Sequence, residues 1–185
     1  MNRSTIVYFT IGVFALLSYM NRVKLLDQAV KLSGKWTGLH PEVKKRALLV
    51  LDAAETAFEE TGYSVHIFDG KREISKQNEY IKKGTSFISN PLNSYHVWGL
   101  AVDFVFKDAD GNWTWEPGAD CAFYDFTCHS SDWYWDTLGE IIESAGFEWG
   151  GRWKSFDGPH AQLTTFGTTR DFIAKYGNPD NASFV

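Results

Sequence analysis

Residues 100–106, which read LAVDFVF, limit the folding of this chain more than any other stretch. Side chains on a strand alternate between its two faces. The four large apolar side chains of this stretch therefore share one face, and Asp103 lies on the other face between an alanine and a valine. The apolar face requires a core to pack against, whereas the carboxylate points away from that core. The stretch thus predicts a half-buried strand that carries an ionisable group.

The remaining sequence predicts helices packed on a few short strands. Apolar residues recur at spacings of three and four in several segments, and glycines end most of them. The predicted helices cover residues 21–34, 40–62, 73–84, 130–146 and 168–177, and the main predicted strands cover residues 63–70, 94–106 and 161–164. We therefore predict an α+β fold, in which helices pack on a small antiparallel sheet.

Composition excludes one class of partner and supports a folded domain. The 185 residues suit a single domain, and 44% of them are hydrophobic, as in globular proteins. The net charge of −5 provides no basic surface for nucleic acid, so we expect no nucleic-acid partner. Eight tryptophans are present, and we expect some of them to line a ligand groove.

The amino-terminal segment 5–20 is uncharged and apolar, and it is flanked by Arg3 and Arg22. As a helix it would span about 24 Å, less than the roughly 30 Å of a hydrocarbon core. A cleaved export signal, a retained anchor and a buried first helix all stay open. Because the segment is apolar on all sides, we expect residues 1–20 to act as a signal or anchor that contacts the membrane. Residues 21–185 would then form a domain exported to the periplasm or cell wall.

Two pairs of ionisable residues suggest chemistry. His96 precedes Asp103, and Gly99 between them permits a tight bend that would bring the two side chains together. Taken alone, this pair is also compatible with a hydrogen-bonded core histidine. Asp157 and His160 form a second pair near the end of the chain. Two histidines and one carboxylate make a three-ligand zinc shell that leaves a position open, and a further carboxylate would serve as general base.

These residues also carry a resemblance to a known family. The pattern S-x-H-x-x-G-x-A-x-D, followed by W-G-G-x-W and D-x-P-H, resembles the zinc peptidases of the D-alanyl-D-alanine carboxypeptidase group, which cleave peptidoglycan. The matching positions are Ser94, His96, Gly99, Ala101, Asp103, Trp149, Gly150, Gly151, Trp153, Asp157, Pro159 and His160. The resemblance implies the D,D-peptidase or hedgehog-like fold for residues 21–185, with Zn²⁺ bound on the sheet by His96, Asp103 and His160.

The resemblance further implies the reaction and the roles of other residues. Asp157, which stands where D,D-peptidases carry a glutamate, indicates the L-alanyl-D-glutamate endopeptidase branch, which includes phage endolysins. Asp157 would be the catalytic base, and Arg72 would stabilise the oxyanion or hold a substrate carboxylate. Three further residues would contact the peptide stem: Ser94, Gln77 and Trp153. We expect a monomer. A D-alanyl-D-alanine carboxypeptidase and an inactive metal-stabilised wall-binding module are the alternatives.

Residues 112–135 are rich in aromatic side chains, which would form a lip for glycan or peptide or pack in the core. Cys121 and Cys128 lie in the same stretch. In an exported domain they would close a small disulfide loop, whereas free thiols and a second metal site with His129 are the alternatives.

Overall fold

The computed structural model describes residues 34–119 and 129–182, together with residue 24. The elements in chain order are α1 (Pro41–Phe58), β1 (Ser64–Asp69), α2 (Ile74–Lys82), β2 (Ala101–Lys107), β3 (Trp113–Thr114), α3 (Ser131–Ser144), β4 (Glu148–Trp149), β5 (His160–Gln162) and α4 (Thr169–Tyr176). The predicted α+β class is confirmed. Among these described residues no helix is both long and apolar enough to cross a membrane, and residues 5–20 lie outside them.

The sheet is antiparallel, with strand order β1-β2-β5-β4 and with β3 paired to β2 beyond the end of β5. Because β2 is central, its register determines what the neighbouring strands bring together. Asp103 pairs with Asp69 of β1 on one side and with His160 of β5 on the other. The centre of the sheet is therefore a meeting point of three ionisable residues.

One face of the sheet is covered by helices, as the alternation in β2 predicts. Val102, Phe104 and Phe106 are fully buried in a core that also contains α1 and α3. The buried positions of α1 are the six residues of the predicted apolar stripe: Val43, Ala47, Val50, Leu51, Ala54 and Phe58. The opposite face of the sheet carries Asp103 and is left for the functional site.

The central strand begins later than predicted. Residues 95–99 form a turn, and β2 starts only at Ala101, so the expected strand over 94–100 is wrong. Gly99 adopts φ +71°, and a Cβ atom there would overlap the Gly38 carbonyl oxygen. This left-handed residue breaks the extended run and turns His96 back toward the strand. The bend predicted at Gly99 is confirmed.

Gly139 of α3 provides a test of packing between α3 and β4. A Cβ atom at this position would overlap the indole of Trp149, which is 1% exposed. Alanine normally stabilises a helix relative to glycine by about 1 kcal/mol. In Gly139→Ala we expect the overlap to dominate and to lower the free energy of unfolding by about 1–3 kcal/mol. Urea denaturation measures this change.

The matched control is Glu140→Ala, at the exposed neighbouring position of the same helix. We expect it to leave stability within about 0.5 kcal/mol of the parent chain. A Gly139→Ala chain more stable than the parent would show that Trp149 does not pack against α3 as described.

Candidate metal centre

Three side chains converge on the open face of the sheet. His96 Nε2 lies 3.0 Å from Asp103 Oδ1 and 3.2 Å from His160 Nδ1, and His160 Nδ1 lies 3.4 Å from Asp103 Oδ1. His96 is 2% exposed and His160 is 8% exposed. Within the described residues this is the group of His, Cys, Asp or Glu side chains arranged to hold a metal ion. We refer to it as the His-Asp-His cluster.

Three separate pieces of backbone position the cluster. His96 lies in the turn before Gly99, Asp103 is the third residue of β2, and His160 begins β5. The Pro159 carbonyl accepts a hydrogen bond from Phe104 N at 2.9 Å, which holds the start of β5 against β2. The register of the two strands then places His160 beside Asp103.

The outer nitrogen of each histidine has its own partner. His96 Nδ1 lies 2.7 Å from the Gly70 carbonyl oxygen, and His160 Nε2 lies 3.0 Å from Gln162 Oε1. Since both partners are acceptors, each outer nitrogen carries the proton and donates it. The inner nitrogens are consequently the basic ones, as required of metal ligands.

Gln162 was not identified from the sequence, and its position yields a prediction. Removal of a residue that orients a ligating histidine commonly costs 10–100-fold in metal affinity. We therefore expect Gln162→Ala to weaken metal binding by that factor while the chain remains folded. Competition with a chromophoric chelator measures the affinity, and unchanged affinity would mean that Gln162 does not orient His160.

The second oxygen of Asp103 accepts a hydrogen bond from Arg72. Arg72 Nη2 lies 3.0 Å from Asp103 Oδ2, while its Nε and Nη1 donate to Asp69 Oδ2 (3.1 Å) and Gln77 Oε1 (2.7 Å). The Gln77 amide in turn donates to Ser86 Oγ at 2.9 Å. Arg72 and Gln77 thus form a buried network behind a cluster residue. Their predicted roles toward substrate stay predictions.

Electrostatics keep the cluster carboxylate ionised. Burial alone would raise the pKa of Asp103, but the neighbouring His96 and His160 hold this pKa well below its usual value. Burial likewise opposes protonation of His160, whereas Asp103, which would accept a hydrogen bond from Nδ1 of the protonated ring, raises the pKa of the imidazole. Asp103 is therefore in the form that binds a cation, and the two imidazoles are held against it.

The spacing of the cluster suits a small tetrahedral ion. Metal–ligand bonds of 2.0–2.2 Å at tetrahedral angles place neighbouring ligand atoms about 3.4 Å apart. The observed separations of 3.0, 3.2 and 3.4 Å are close to that value. Two imidazoles and one carboxylate are also a donor set that binds zinc with an open fourth position.

Asp157 stands beside the cluster without belonging to it. Its backbone N–H donates to the Gly150 carbonyl and its own carbonyl accepts from His160 N, both at 3.1 Å. The space at Gly150 is needed here, since a Cβ atom would lie 2.6 Å from the Asp157 carbonyl oxygen. Burial raises the pKa of the Asp157 carboxyl; His160 opposes this effect, and the Asp103 charge adds to it. A carboxylate with a raised pKa is better suited to accept a proton.

A cleft of about 560 Å³ opens above the cluster. All eight residues predicted for the site line it: Arg72, Gln77, Ser94, His96, Asp103, Trp153, Asp157 and His160. The ring of Trp153 lies 5.1 Å from that of His160, and its indole N–H donates to Glu148 Oε1 at 2.9 Å. The cleft therefore joins the cluster, the spare carboxylate and the predicted substrate contacts in one space.

Two other residues that support the site were not identified from the sequence. Asp69 is 6% exposed and binds both Arg72 and Lys76, and Tyr80 stacks below the Arg72 guanidinium at 4.7 Å. The Asp69–Arg72 spacing of three residues was the available signal, but a bulge after Ile67 determines where Asp69 points. The predictions for Cys121 and Cys128 fall outside the described residues.

Comparison with known proteins identifies the family. A family model described as phage L-alanyl-D-glutamate peptidase matches residues 29–125, more than half of the chain. The chain belongs to this family. A second family model, described as D-alanyl-D-alanine carboxypeptidase, matches residues 88–163 and so contains the whole His-Asp-His cluster. Proteins of this peptidase group are metallopeptidases, and the cluster is a group able to hold their metal.

Individual relatives of the family agree with this assignment. The chain is 37% identical to the peptidoglycan L-alanyl-D-glutamate endopeptidase CwlK of Bacillus subtilis, over 68% of this chain and 73% of CwlK. It is 31% identical to the L-alanyl-D-glutamate peptidase of a Listeria phage, over 78% of this chain but only 45% of the phage protein.

A solved structure also resembles this fold. The L-Ala D-Glu endopeptidase ChiX of Serratia marcescens matches with a TM-score of 0.52 and 28% identity, over 76% of this chain and 88% of ChiX. The predicted fold of the peptidase group is thereby confirmed.

Proposed function

We propose that this protein is a zinc endopeptidase that hydrolyses the L-alanyl-D-glutamate bond in the peptide stems of peptidoglycan. The observation that carries the proposal is the pairing of the His-Asp-His cluster with Asp157 in one cleft. A structural metal site would not require a spare carboxylate of raised pKa beside it. This argues against the inactive wall-binding alternative.

The residues of the site would have distinct roles in the reaction. His96, Asp103 and His160 would hold the zinc ion, which when bound polarises the scissile carbonyl and acidifies a water molecule. Asp157 would accept the proton of the attacking water and then donate it to the leaving amine of D-glutamate. Arg72 and Gln77 would keep the Asp103 carboxylate aimed inward through the hydrogen bond at 3.0 Å.

The predicted substrate contacts are part of the same proposal. Ser94 is 9% exposed and Trp153 is half-buried, and both line the cleft beside the cluster. Ser94 would hydrogen-bond the backbone of the stem, and the Trp153 ring would cover the peptide next to the scissile bond. Arg72 also lines the cleft, and its described contacts use three of its five N–H donors, so a remaining N–H would stabilise the oxyanion or hold a substrate carboxylate.

Mass spectrometry of purified peptidoglycan after digestion tests the reaction. We expect new fragments that begin with D-glutamate, together with glycan that retains L-alanine. A D-alanyl-D-alanine carboxypeptidase is the second candidate, favoured by the description of the family model over residues 88–163. Products that have lost only a terminal D-alanine would establish that activity and exclude the endopeptidase.

The proposed substrate implies a location outside the cytoplasmic membrane. We propose that residues 1–20 act as an export signal or anchor. Residues 21–185 would form the zinc peptidase domain. This domain would work as a monomer in the periplasm or cell wall, as an endolysin does. Fractionation of cells with a tag at Val185 tests this. A tag that resists external protease in spheroplasts would exclude export through residues 5–20.

A further inference from the structure

Three aromatic residues continue the open face of the sheet beyond the His-Asp-His cluster. Phe68 lies on β1, Trp113 lies on β3, and Trp115 follows β3. The Phe68 ring lies 5.2 Å from the Trp113 ring and 5.4 Å from the Trp115 ring, both edge to face. Trp113 is 38% exposed and Trp115 is 48% exposed, which is unusual for such large apolar side chains. We refer to these three residues as the aromatic strip.

The aromatic strip is continuous with the catalytic cleft. Every second residue of β2 lies on the same face, and this face carries Asp103, Val105 and Lys107. Lys107 pairs with Trp113 of β3. Phe68, Val105 and Trp115 line the same cleft as the cluster. Asp103 and Lys107 are four positions apart along the strand, a distance of about 13 Å. The strip therefore begins within about 13 Å of the cluster.

The rings are held in place by the fold. β3 pairs with β2 at Thr114 and Trp113, and the Trp135 indole N–H donates to the Trp115 carbonyl at 3.0 Å. The Lys107 ammonium lies 4.6 Å from the centre of the Trp113 ring and so covers part of that ring's face. Trp115, with the larger exposed fraction and its place in the cleft, is consequently the main platform.

The occupant follows from the chemistry of the proposed substrate, so this inference rests on the proposed function. In peptidoglycan the L-alanine amine is joined to the lactyl group of a muramyl sugar, so a sugar lies directly before the scissile bond. The other side of that bond carries carboxylates. Sugar C–H faces are weakly positive and pack against the negative faces of aromatic rings. We propose that the aromatic strip binds the glycan at the muramyl end of the stem.

Two substrates separate a glycan subsite from a peptide subsite. One is a stem peptide joined to its disaccharide, and the other is the same peptide without sugar. We expect Trp115→Ala to lower kcat/KM for the first by about tenfold and to leave kcat/KM for the second unchanged. Trp115→Leu, which keeps apolar volume but lacks a flat ring, should act in the same way if the alanine variant is unstable. Phe166→Ala, which removes an exposed ring outside the cleft, should change neither value.

A binding measurement keeps this inference distinct from the proposed reaction. Sedimentation of the chain with peptide-free glycan strands should be reduced by Trp115→Ala and unaffected by Phe166→Ala. If the parent chain cleaves neither substrate, the proposed function fails. The sedimentation measurement then decides by itself whether the aromatic strip binds glycan. The glycan subsite would be overturned if Trp115→Ala lowered kcat/KM equally for both substrates. It would also be overturned if this variant bound glycan strands as well as the parent chain does.

Discussion

His160→Ala is expected to remove the metal and to reduce hydrolysis to background. His160 Nδ1 is one of three inner ligand atoms, and its removal leaves His96 and Asp103 as a two-ligand site. Zinc sites in hydrolases use three protein ligands plus water, so two ligands do not retain the ion at ordinary chelator concentrations. We expect the zinc content to fall from about one per chain to near zero.

Elemental analysis of dialysed protein measures this loss, and release of peptide from purified peptidoglycan measures activity. The matched control is His66→Ala, an exposed histidine on β1 outside the cluster, which should retain zinc and cleavage of a sugar-free peptide. Because His160 also hydrogen-bonds Gln162, the melting temperature of each variant should be recorded. Full zinc occupancy in a folded His160→Ala chain would remove His160 from the ligand set.

Asp157→Asn is expected to keep the metal but lose most of the activity. Asparagine preserves the shape of the side chain and removes its basicity, so the cluster should remain as it is. Loss of a general base typically lowers turnover by 10²–10⁴-fold. We therefore expect a fall of at least about 10²-fold in kcat with zinc content unchanged.

The control for this variant is Asp180→Asn, an exposed carboxylate in the last turn of the described chain. It should match the parent in both zinc content and kcat. Loss of zinc from Asp157→Asn would make Asp157 a ligand or a structural carboxylate instead of the base. Unchanged kcat would discard the proposed proton transfer.

The residues of the cluster could be identified from the sequence because they lie in two compact motifs. His96 and Asp103 are joined by a short bend at Gly99, and Asp157 and His160 are separated by only three positions. Their meeting across 64 residues depends on the register of β2 and β5, and the family resemblance supplied that pairing. The residues that support the cluster were harder to find. Gln162 and Asp69 acquire their partners only through strand register and the bulge in β1.

The start of β2 was mispredicted for a related reason. Tyr95 and Val97 are apolar and alternate with polar residues, which favours a strand, although they are out of phase with the alternation at residues 100–106. The close approach of Gly99 to the Gly38 carbonyl is a tertiary contact, and it overrides that local pattern. Such contacts between distant segments leave little trace in a single sequence.

Anomalous diffraction at the zinc absorption edge, from crystals of the protein, tests the central claim most directly. We expect one strong peak within about 2.2 Å of His96 Nε2, Asp103 Oδ1 and His160 Nδ1, with Asp157 outside bonding distance. A peak elsewhere, or a zinc ion bonded to Asp157 in place of one of these three atoms, would contradict the account.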